Sequence, residues 1–241
     1  MIPLPPGARL DHQPFDSGFL GGPVYRLALA EAADLSALPG WAGTEGVRLV
    51  MARVPASAVD VQRCLEAAGF RAIERLVTLE RPLADTPPMP DGVRLARPED
   101  VVPCVAMART AFRYDRFHAD RRIDPAAAGA LKAKWVENGL TGRADAPLVA
   151  VEDGRAAGFN LCLRNGDAGV IDLIATDPQV RRRGVGRRLV QAALAHYAAA
   201  GAARMRVGTQ ADNAPSLAMY RAAGFEPVSE AVTYHLIPER T

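Results

Sequence analysis

The sequence predicts a mixed α/β protein built from two domains, and three observations support this fold class. Segments that alternate apolar and polar residues are interspersed with segments of helical periodicity, which indicates strands and helices in one chain. At 241 residues the chain is long enough for two modest cores. One motif, EAAGFRAIERLVTL (66–79), returns near the end of the chain as RAAGFEPVSEAVTY (221–234).

A proline-rich stretch marks the predicted boundary between the domains. Four prolines lie in RPLADTPPMPDGVRL, which has no periodic apolar residues, and proline disfavours the interiors of helices and sheets. We predict a smaller N-terminal α/β domain at 1–85, a linker at 86–92 and a larger domain at 93–241.

The first domain is predicted to alternate strands and a helix. PVYRLALA and GVRLVMARV have the composition of strands, SAVDVQRCLEAAG is a helix that ends at Gly69, and FRAIERLVTLERP is a returning strand.

The second domain is predicted to begin with a strand, VRLA, and a helix from Pro98 to about Arg113. A charged segment RYDRFHADRRID and a helix AAAGALKAKWVENG follow, and then three strands within APLVAVEDGRAAGFNLCLRNGDAGVIDLIAT, with Asp153-Gly154 as a hairpin turn. The remaining segments are a helix GRRLVQAALAHYAAAG, a strand ARMRVGT, a helix APSLAMYRAAG capped by Asp212-Asn213, and final strands in FEPVSEAVTYHLI.

The repeated motif predicts two equivalent structural units. Each copy places Ala-Ala-Gly at the end of a helix and Phe at the start of the next strand. The copies differ just before the motif, where Leu65 stands in the first and Tyr220 in the second. Chance recurrence of a common helix-to-strand connection is the alternative.

Composition and charge argue against several classes of protein. Apolar runs are broken by Arg, Asp or His, so no membrane helix is predicted, and a net charge of +2 is too small for a nucleic-acid-binding surface. Cys64, Cys104 and Cys162 are widely spaced, which favours free thiols over a disulfide framework or a metal site. MIPLPPGARLDH lacks the features of a signal peptide, so the expected location is the cytoplasm.

The segment VIDLIATDPQVRRRGVGRRLV is predicted to run from a strand through a glycine loop into a helix, with arginines around the glycines. Gly184 and Gly186 let the backbone approach an anion, and the unpaired N–H groups and dipole of the helix start add positive potential. Neither a Walker lysine nor GxGxxG is present, so phosphate binding of another type is expected. An exposed basic helix start is the alternative.

The spacing R-x-x-G-x-G, met by Arg181, Gly184 and Gly186 between a strand and a helix, resembles the acetyl-CoA motif of the GNAT superfamily of N-acyltransferases. The resemblance implies the GNAT fold, a central, mostly antiparallel, split sheet flanked by helices, and makes the N-terminal domain a degenerate half of that fold. It implies acetyl-CoA (coenzyme A) as cofactor. The implied cofactor-binding residues are Leu173, Ile174, Ala175, Thr176, Arg181, Arg182, Arg183, Gly184, Val185, Gly186, Arg187, Asn213, Ser216 and Tyr220.

In that family the sheet splits after the strand that is here VIDLIAT, and the pantetheine arm bonds to strand backbone. Asn213, Ser216 and Tyr220 fall on one helix face, which implies Asn213 against the pantetheine and Tyr220 near the sulfur. A Tyr hydroxyl there can act as general acid for the departing thiolate, whereas Leu65 cannot. A core aromatic residue with a satisfied hydroxyl is the alternative for Tyr220.

The sequence leaves several candidates for the group that takes the proton of the attacking amine. Asp172 is a charged residue in an otherwise apolar strand, and certain GNAT amino-sugar acetyltransferases have an acid at the matching place, whereas others rely on ordered water. His118 and His235 are further candidates. We predict Tyr220 and Asp172 as the catalytic residues, with water as the alternative to Asp172.

The segment RFHADRRIDPAAAGALKAKWVENGL lies where GNAT enzymes build the acceptor side. Together with the proline-rich joint and the final TYHL, it resembles enzymes that acetylate the 4-amino group of nucleotide-linked dideoxy sugars. Arginines suit a diphosphate, and aromatic faces suit a sugar or base. The predicted substrate-binding residues are Arg116, Phe117, His118, Arg121, Trp135 and His235, with Arg122 and Phe112 as further candidates. A solvated charged turn is the alternative.

The sequence therefore predicts an acetyl-CoA-dependent N-acetyltransferase that acts on the primary amine of a nucleotide-linked 4-amino-deoxysugar by direct attack. The alternatives are a GNAT enzyme for another small amine, such as an antibiotic, polyamine or amino acid, and an acyl-CoA-binding protein without turnover. No metal, nucleic acid or membrane partner is expected, and the chain is expected to be a monomer or homodimer.

Overall fold

The structure is a computed structural model that describes residues 4–180 and 183–238. Contacts divide this part of the chain into two compact units. Unit 1 comprises the described residues up to Leu76, the segment Tyr114–Ala128 and the described residues from Ser229 onward. Unit 2 comprises Val77–Arg113 and the described residues of Gly129–Val228. Within the described ranges, no helix combines the length and apolar character needed to cross a membrane.

The described residues form ten strands and eight α-helices. The strands are β1 Arg9–His12, β2 Val24–Ala28, β3 Leu49–Pro55, β4 Arg71–Pro82, β5 Val93–Leu95, β6 Ala146–Glu152, β7 Arg155–Asn165, β8 Ala168–Thr176, β9 Arg204–Gln210 and β10 Glu226–Leu236. The helices are α1 Pro14–Leu20, α2 Leu38–Thr44, α3 Val59–Ala67, α4 Val101–Ala111, α5 Arg116–Ala119, α6 Pro125–Asn138, α7 Val185–Ala199 and α8 Ala214–Ala222.

Unit 1 contains a sheet with strand order β1-β2-β3-β10-β4. Strand β2 runs parallel to β3, whereas β10 runs antiparallel to β3, with Val232 opposite Val54. Apolar side chains of these strands pack with helices α2 and α3 in a core that includes Leu65, Phe70 and Tyr234. Burial of this apolar surface is the main favourable term in the folding of the unit.

Unit 2 contains strands in the order β4-β9-β8-β7-β6-β5. Strands β6, β7 and β8 form an antiparallel meander, and helix α7 packs on it with buried Leu189 and Ala193. The β6–β7 turn has positive φ at both Asp153 (49°) and Gly154 (77°), as expected for a tight hairpin. The predicted mixed α/β fold, with a mostly antiparallel sheet flanked by helices, is confirmed.

Two strands run through both units. Strand β4 begins in unit 1 and continues beyond Val77 in unit 2, whereas β10 begins in unit 2 and continues beyond Ser229 in unit 1. The predicted domains, 1–85 and 93–241, are contiguous, whereas each compact unit is made of separate stretches of the chain, because Tyr114–Ala128 and the end of β10 pack with unit 1. The contiguous domain limits stay a prediction, since contacts in the folded state do not test which segments fold independently.

The repeated motif has the same local structure in both places. Helices α3 and α8 are each followed by a glycine of positive φ, 83° at Gly69 and 81° at Gly224. In each copy the next Phe donates its N–H to the carbonyl of Leu65 or Tyr220, respectively, at 3.0 Å. These bonds and the left-handed glycine are typical of a helix C-cap, so the two copies are equivalent local structures.

Three short helices were not among the elements predicted from the sequence. Helices α1 and α2 are PFDSGFL and LPGWAGT, whose glycines lower helix propensity, but burial of Leu20, Leu38 and Ala42 outweighs that cost. Helix α5 is one turn inside the charged segment, where the Asp115 side chain accepts the N–H of Phe117. The final segment is one long strand, β10, where several were predicted.

Candidate active site

The sheet of unit 2 opens between β8 and β9. Their parallel ladder runs from the pair Ala168–Arg204 to the pair Ile171–Val207 and ends there, although both strands continue. On its other edge β8 stays paired with β7 as far as Thr176 opposite Gly158. The end of β8 therefore offers backbone groups on the β9 side that the described strands do not use, as an added extended chain requires. The predicted residues Leu173, Ile174, Ala175 and Thr176 occupy this stretch.

The glycine loop begins helix α7 in a conformation that leaves backbone N–H groups open to an anion. Gly184 is the N-cap with φ 76°, and a Cβ atom placed on it would meet no atom of the described residues within 4 Å. The first helical bond joins the Arg188 N–H to the Gly184 carbonyl, so the preceding N–H groups have no helical acceptor. At Gly186 a Cβ atom would lie 3.0 Å from the Met219 sulfur, so glycine lets the two helices α7 and α8 pack closely here.

The arginines of the loop differ in their surroundings. Arg183 and Arg187 are exposed at the start of α7, next to buried Val185. Arg188 forms an ion pair with Glu152 and is engaged in the structure of unit 2. Arg181 and Arg182, both predicted to bind the cofactor, lie outside the described residues.

Helix α8 carries the remaining predicted cofactor residues. Asn213 is its N-cap, and its side-chain oxygen accepts the N–H of Ser216 at 3.3 Å, which confirms the predicted cap. Tyr220 is 2% exposed and packs edge-on against Phe225 with ring centres 5.6 Å apart. Burial, with a smaller effect of the Cys162 thiol, raises the pKa of Tyr220 above its usual value, so the hydroxyl keeps its proton throughout the neutral range.

Asp172 lies in the middle of β8 with its side chain at the surface. Its Oδ2 atom is 2.6 Å from a terminal nitrogen of Arg143, which belongs to the π-helical turn Gly139–Arg143. This ion pair accounts for a charged residue within an apolar strand. The role of Asp172 as a proton acceptor stays a prediction.

The predicted acceptor residues of unit 1 lie in a cluster with several acidic side chains. His118 Nδ1 is 2.5 Å from Asp115 Oδ2, and both side chains are largely buried. Arg116 is half-buried, with its guanidinium 4.4 Å from the centre of the Phe117 ring. Burial, followed by repulsion from Arg53, lowers the pKa of Arg116, whereas Asp16, Glu74 and Asp115 oppose that shift. Arg116 therefore stands among three carboxylates.

His235 lies near the end of β10 and is fully buried. Its Nδ1 atom is 2.9 Å from Oδ2 of Asp120, which also accepts hydrogen bonds from the Arg122 guanidinium at 2.8 and 2.9 Å. Among the described residues, Nε2 of His235 has no hydrogen-bond partner. Burial lowers the pKa of His235, although Asp120 opposes the effect. Burial would raise the pKa of Asp120, but the bonds from His235 and Arg122 outweigh it and hold that pKa well below its usual value.

Three of the candidate substrate residues are wholly or partly enclosed by other side chains. Phe117 is fully buried, and Arg122 is committed to Asp120, so neither offers a free face or a free charge. Trp135 is half-buried in unit 2, with Lys132 Nζ 4.4 Å from its ring centre. Arg121 is exposed in unit 1, as a residue that meets an anion would be.

The sequence did not identify the acidic partners of these residues. Asp120 lies within the predicted acceptor segment, and Asp115 stands three residues before His118, a helical spacing that could have indicated the pair. Glu74 accepts hydrogen bonds from Arg53 and Thr233, on strands far apart in sequence. Such contacts leave no local signal.

A split sheet beside a helix that starts at a glycine suits a ligand that carries phosphate and an extended chain. A sequence profile described as the acetyltransferase (GNAT) family matches residues 108–225. The chain is 28% identical over 234 residues to a dTDP-fucosamine acetyltransferase of Escherichia coli O6:H1, covering 95% of this chain and 98% of that protein. It is 30% identical over 224 residues to a mycothiol acetyltransferase of Clavibacter michiganensis subsp. michiganensis, covering 89% of this chain and 67% of that protein.

A solved structure of a GCN5-related N-acetyltransferase from Sphaerobacter thermophilus has the same fold. The two chains superpose with a TM-score of 0.66 at 17% identity, covering 97% of this chain and 78% of the other. The protein belongs to the GNAT family of acetyltransferases and is an acyl-CoA N-acetyltransferase.

Proposed function

We propose that the protein transfers the acetyl group of acetyl-CoA to the primary amine of a nucleotide-linked 4-amino-deoxysugar. The observation that carries the proposal is the similarity to a dTDP-fucosamine acetyltransferase along 95% of this chain and 98% of that protein. Such coverage includes the acceptor segment as well as the cofactor loop.

The residues of unit 2 fit the cofactor. The N–H groups at Gly184, Val185 and Gly186, with Arg183 and Arg187 beside them, suit a pyrophosphate. The free edge of β8 from Leu173 to Thr176 suits the pantetheine arm. The cofactor supplies a thioester carbonyl for attack by a neutral amine.

Two residues of unit 2 are proposed to act on protons. Tyr220 keeps its proton at neutral pH and is proposed to donate it to the departing thiolate. Asp172 or an ordered water is proposed to receive the proton of the amine, the two alternatives that the sequence leaves open.

The acceptor is proposed to contact side chains of the unit 1 cluster. Arg116 and Arg121 supply positive charge for a diphosphate, and His118 supplies a hydrogen-bonding ring held by Asp115. The Phe117 ring stacks against the Arg116 guanidinium in a cation–π contact and is proposed to hold that guanidinium in position for the acceptor. Trp135 of unit 2 stays a predicted contact.

A second candidate is the amine that mycothiol acetyltransferases acetylate, because one such enzyme is 30% identical to this chain. That relative covers the chain less completely and is itself longer, since the match spans 67% of it.

The test is a thiol-release assay with acetyl-CoA and a panel of amines. The panel contains dTDP-4-amino-dideoxyhexoses, the corresponding free amino sugars, the amine acceptor of mycothiol acetyltransferases, polyamines and aminoglycosides. Turnover restricted to the nucleotide-linked sugars is expected, with mass spectrometry showing one added acetyl group. A higher kcat/KM for any other member would contradict the proposed acceptor but leave the acetyltransferase activity in place.

A further inference from the structure

A groove in unit 2 is lined by helices α7 and α8 and, on a third side, by the segment 81–88 at the start of the proline-rich stretch. Its volume is about 440 Å³. Small-molecule sites in proteins have volumes of about 300–1,000 Å³, so the groove has the size of a ligand site. The lining residues that bear on its chemistry, all within unit 2, are Arg81, Pro87, Arg187, Gln191, Leu194 and Ala222.

The groove begins where helix α7 begins. Arg187 lies in the first turn of α7 and follows Gly186 of the glycine loop directly. Leu194 lines the groove two turns further along the same helix, so the lined part of α7 is about 10 Å long at 1.5 Å per residue. A ligand whose pyrophosphate binds at the N–H groups of the loop can therefore extend into the groove.

The lining combines positive charge with apolar surface. The charged side chains of its described residues are Arg81 and Arg187, with no carboxylate among them, whereas Pro87, Leu194 and Ala222 are apolar. A guanidinium group binds phosphate oxygens through parallel hydrogen bonds, and apolar walls suit the faces of a flat base. This chemistry is suited to a nucleoside that carries a phosphate group.

The Arg81 side chain is oriented by the backbone before any ligand binds. Its two terminal nitrogens donate to the carbonyls of Ala223 at 2.5 Å and Asp85 at 2.7 Å. Ala223 is the C-cap residue of α8, where the helix dipole favours a cation. Carbonyls fix the guanidinium without neutralising its charge, and a guanidinium has five N–H donors. Arg81 can therefore bind an anion in addition to these two carbonyls.

The segment that carries Arg81 is itself attached to helix α7. The Gln191 side chain donates to the Pro88 carbonyl at 3.2 Å. Arg81 and Pro87 both precede residues 108–225, which match the family profile. The third side of the groove is therefore supplied by a part of this chain that the profile does not include.

We propose that this groove binds the 3′-phosphorylated adenosine end of acetyl-CoA and that Arg81 and Arg187 bind its 3′-phosphate. The pyrophosphate of acetyl-CoA joins the pantetheine arm to that nucleoside, so a pyrophosphate at the glycine loop leaves the nucleoside for the groove. This inference rests on the proposed function and deepens it, because it makes the enzyme selective for its donor. An acetyl thioester carried on phosphopantetheine alone lacks the groups that the groove binds.

The test measures the affinities of acetyl-CoA and 3′-dephospho-acetyl-CoA, which differ only in the 3′-phosphate, by isothermal titration calorimetry. The wild type is expected to bind acetyl-CoA at least about tenfold more tightly, as the loss of charged hydrogen bonds predicts. Arg81→Gln and Arg187→Gln are each expected to reduce this preference several-fold. The reduction is expected to come from weaker binding of acetyl-CoA, with the affinity for 3′-dephospho-acetyl-CoA unchanged.

The matched control is Arg164→Gln. Arg164 also donates to two backbone carbonyls, those of Gly166 and Ala200, and Ala200 is the C-cap residue of α7. It is absent from the described lining of the groove, so the variant is expected to keep the wild-type preference. If Arg81→Gln weakened both donors equally, its effect would be structural and the proposal would be overturned. A wild type that binds both donors with equal affinity would overturn it as well.

A second titration separates the two nucleotides of the reaction, with dTDP as the probe. Arg81→Gln is expected to leave the affinity for dTDP at the wild-type value. Loss of dTDP binding in this variant would assign the groove to the nucleotide of the acceptor and overturn the proposal. A wild type that binds neither acetyl donor would overturn the proposed function together with this inference, whereas acetyl transfer without preference between the donors would overturn the inference alone.

Discussion

Ile171 and Val207 form the last pair of the parallel ladder between β8 and β9. Beyond them β8 is paired with β7 alone among the described strands, and the chain continues from β8 into the glycine loop at the start of α7. An unpaired strand edge and the open N–H groups of a helix are thus contributed by one continuous segment. This continuity is why binding of acetyl-CoA is expected to depend on a few glycines and on backbone more than on charged side chains.

Gly184→Val is expected to weaken acetyl-CoA binding by at least tenfold. The φ angle of 76° disfavours a β-branched residue, and its side chain would occupy the open space above the N-cap where a phosphate must approach the backbone. Isothermal titration calorimetry measures the change.

The matched control for that change is Gly166→Val. Gly166 lies in the turn between β7 and β8 at φ 61°, also with no atom within 4 Å of an added Cβ. It carries the same backbone penalty without the anion site, so its acetyl-CoA affinity is expected to match the wild type. Equal loss of affinity in both variants would contradict the assignment of Gly184.

Tyr220→Phe is expected to lower kcat by at least about tenfold at neutral pH while the affinity for acetyl-CoA changes little. The reason is that the hydroxyl is used as an acid in the chemical step and the ring alone fills the core. Because the pKa of Tyr220 is raised, the wild-type rate is expected to show no alkaline loss from this group below about pH 10. Steady-state kinetics across pH tests both points.

Tyr197→Phe is the control for removing a buried tyrosine hydroxyl. The Tyr197 hydroxyl donates to Asp145 at 2.8 Å, so its loss is expected to lower the free energy of unfolding by about 1 kcal/mol. Its kcat is expected to stay near the wild-type value. A rate loss as large as that of Tyr220→Phe would mean that burial of a hydroxyl, and not acid chemistry, explains the effect.

The free energy of unfolding is expected to fall as the pH is lowered below 6.5, the ordinary pKa of His235. In the folded protein this pKa is lower, so between the two values the unfolded chain binds the proton more tightly. The contribution of His235 is complete above pH 6.5 and is lost towards the folded pKa, with a slope of up to about 1.4 kcal/mol per pH unit.

Urea unfolding of the wild type and of His235→Gln between pH 8 and 5 isolates this contribution. The difference between the two is expected to change with pH only below about 6.5. Asp120 contributes to the free energy of unfolding in a different pH range. Because its pKa is lowered in the folded protein, its contribution is present above pH 3.8 and is lost as the pH falls further. Parallel curves for both proteins down to pH 5 would contradict the buried neutral histidine.

Gly69→Ala and Gly224→Ala are expected to destabilise the protein to a similar extent, by about 1 to 2 kcal/mol each. Both glycines hold the left-handed cap of a helix, at 83° and 81°, and an added Cβ atom would meet nothing closer than 3.5 Å in either place. Denaturant unfolding tests the pair. Costs that differ by more than about 1 kcal/mol would argue against equivalent units.

Several features of the site follow from the sequence because they depend on near neighbours. The glycines before a basic helix predicted a glycine loop that leads into a helix, which begins at Val185 behind Gly184, and the Ala-Ala-Gly-Phe repeat predicted two matching helix ends. The turn at Asp153-Gly154 is local in the same way. The short helices α1 and α2 were missed, because burial in the tertiary structure and not local propensity stabilises them.

By itself the sequence determined the mixed α/β fold, the open start of α7 and the repeated helix-to-strand connection, since backbone preferences and caps act over a few residues. Only the tertiary structure decided that Asp120 reaches His235, that Asp172 pairs with Arg143, and that β10 returns to unit 1. These contacts join residues distant in sequence. They are set by strand register and by the pairing of buried charges, which no local pattern encodes.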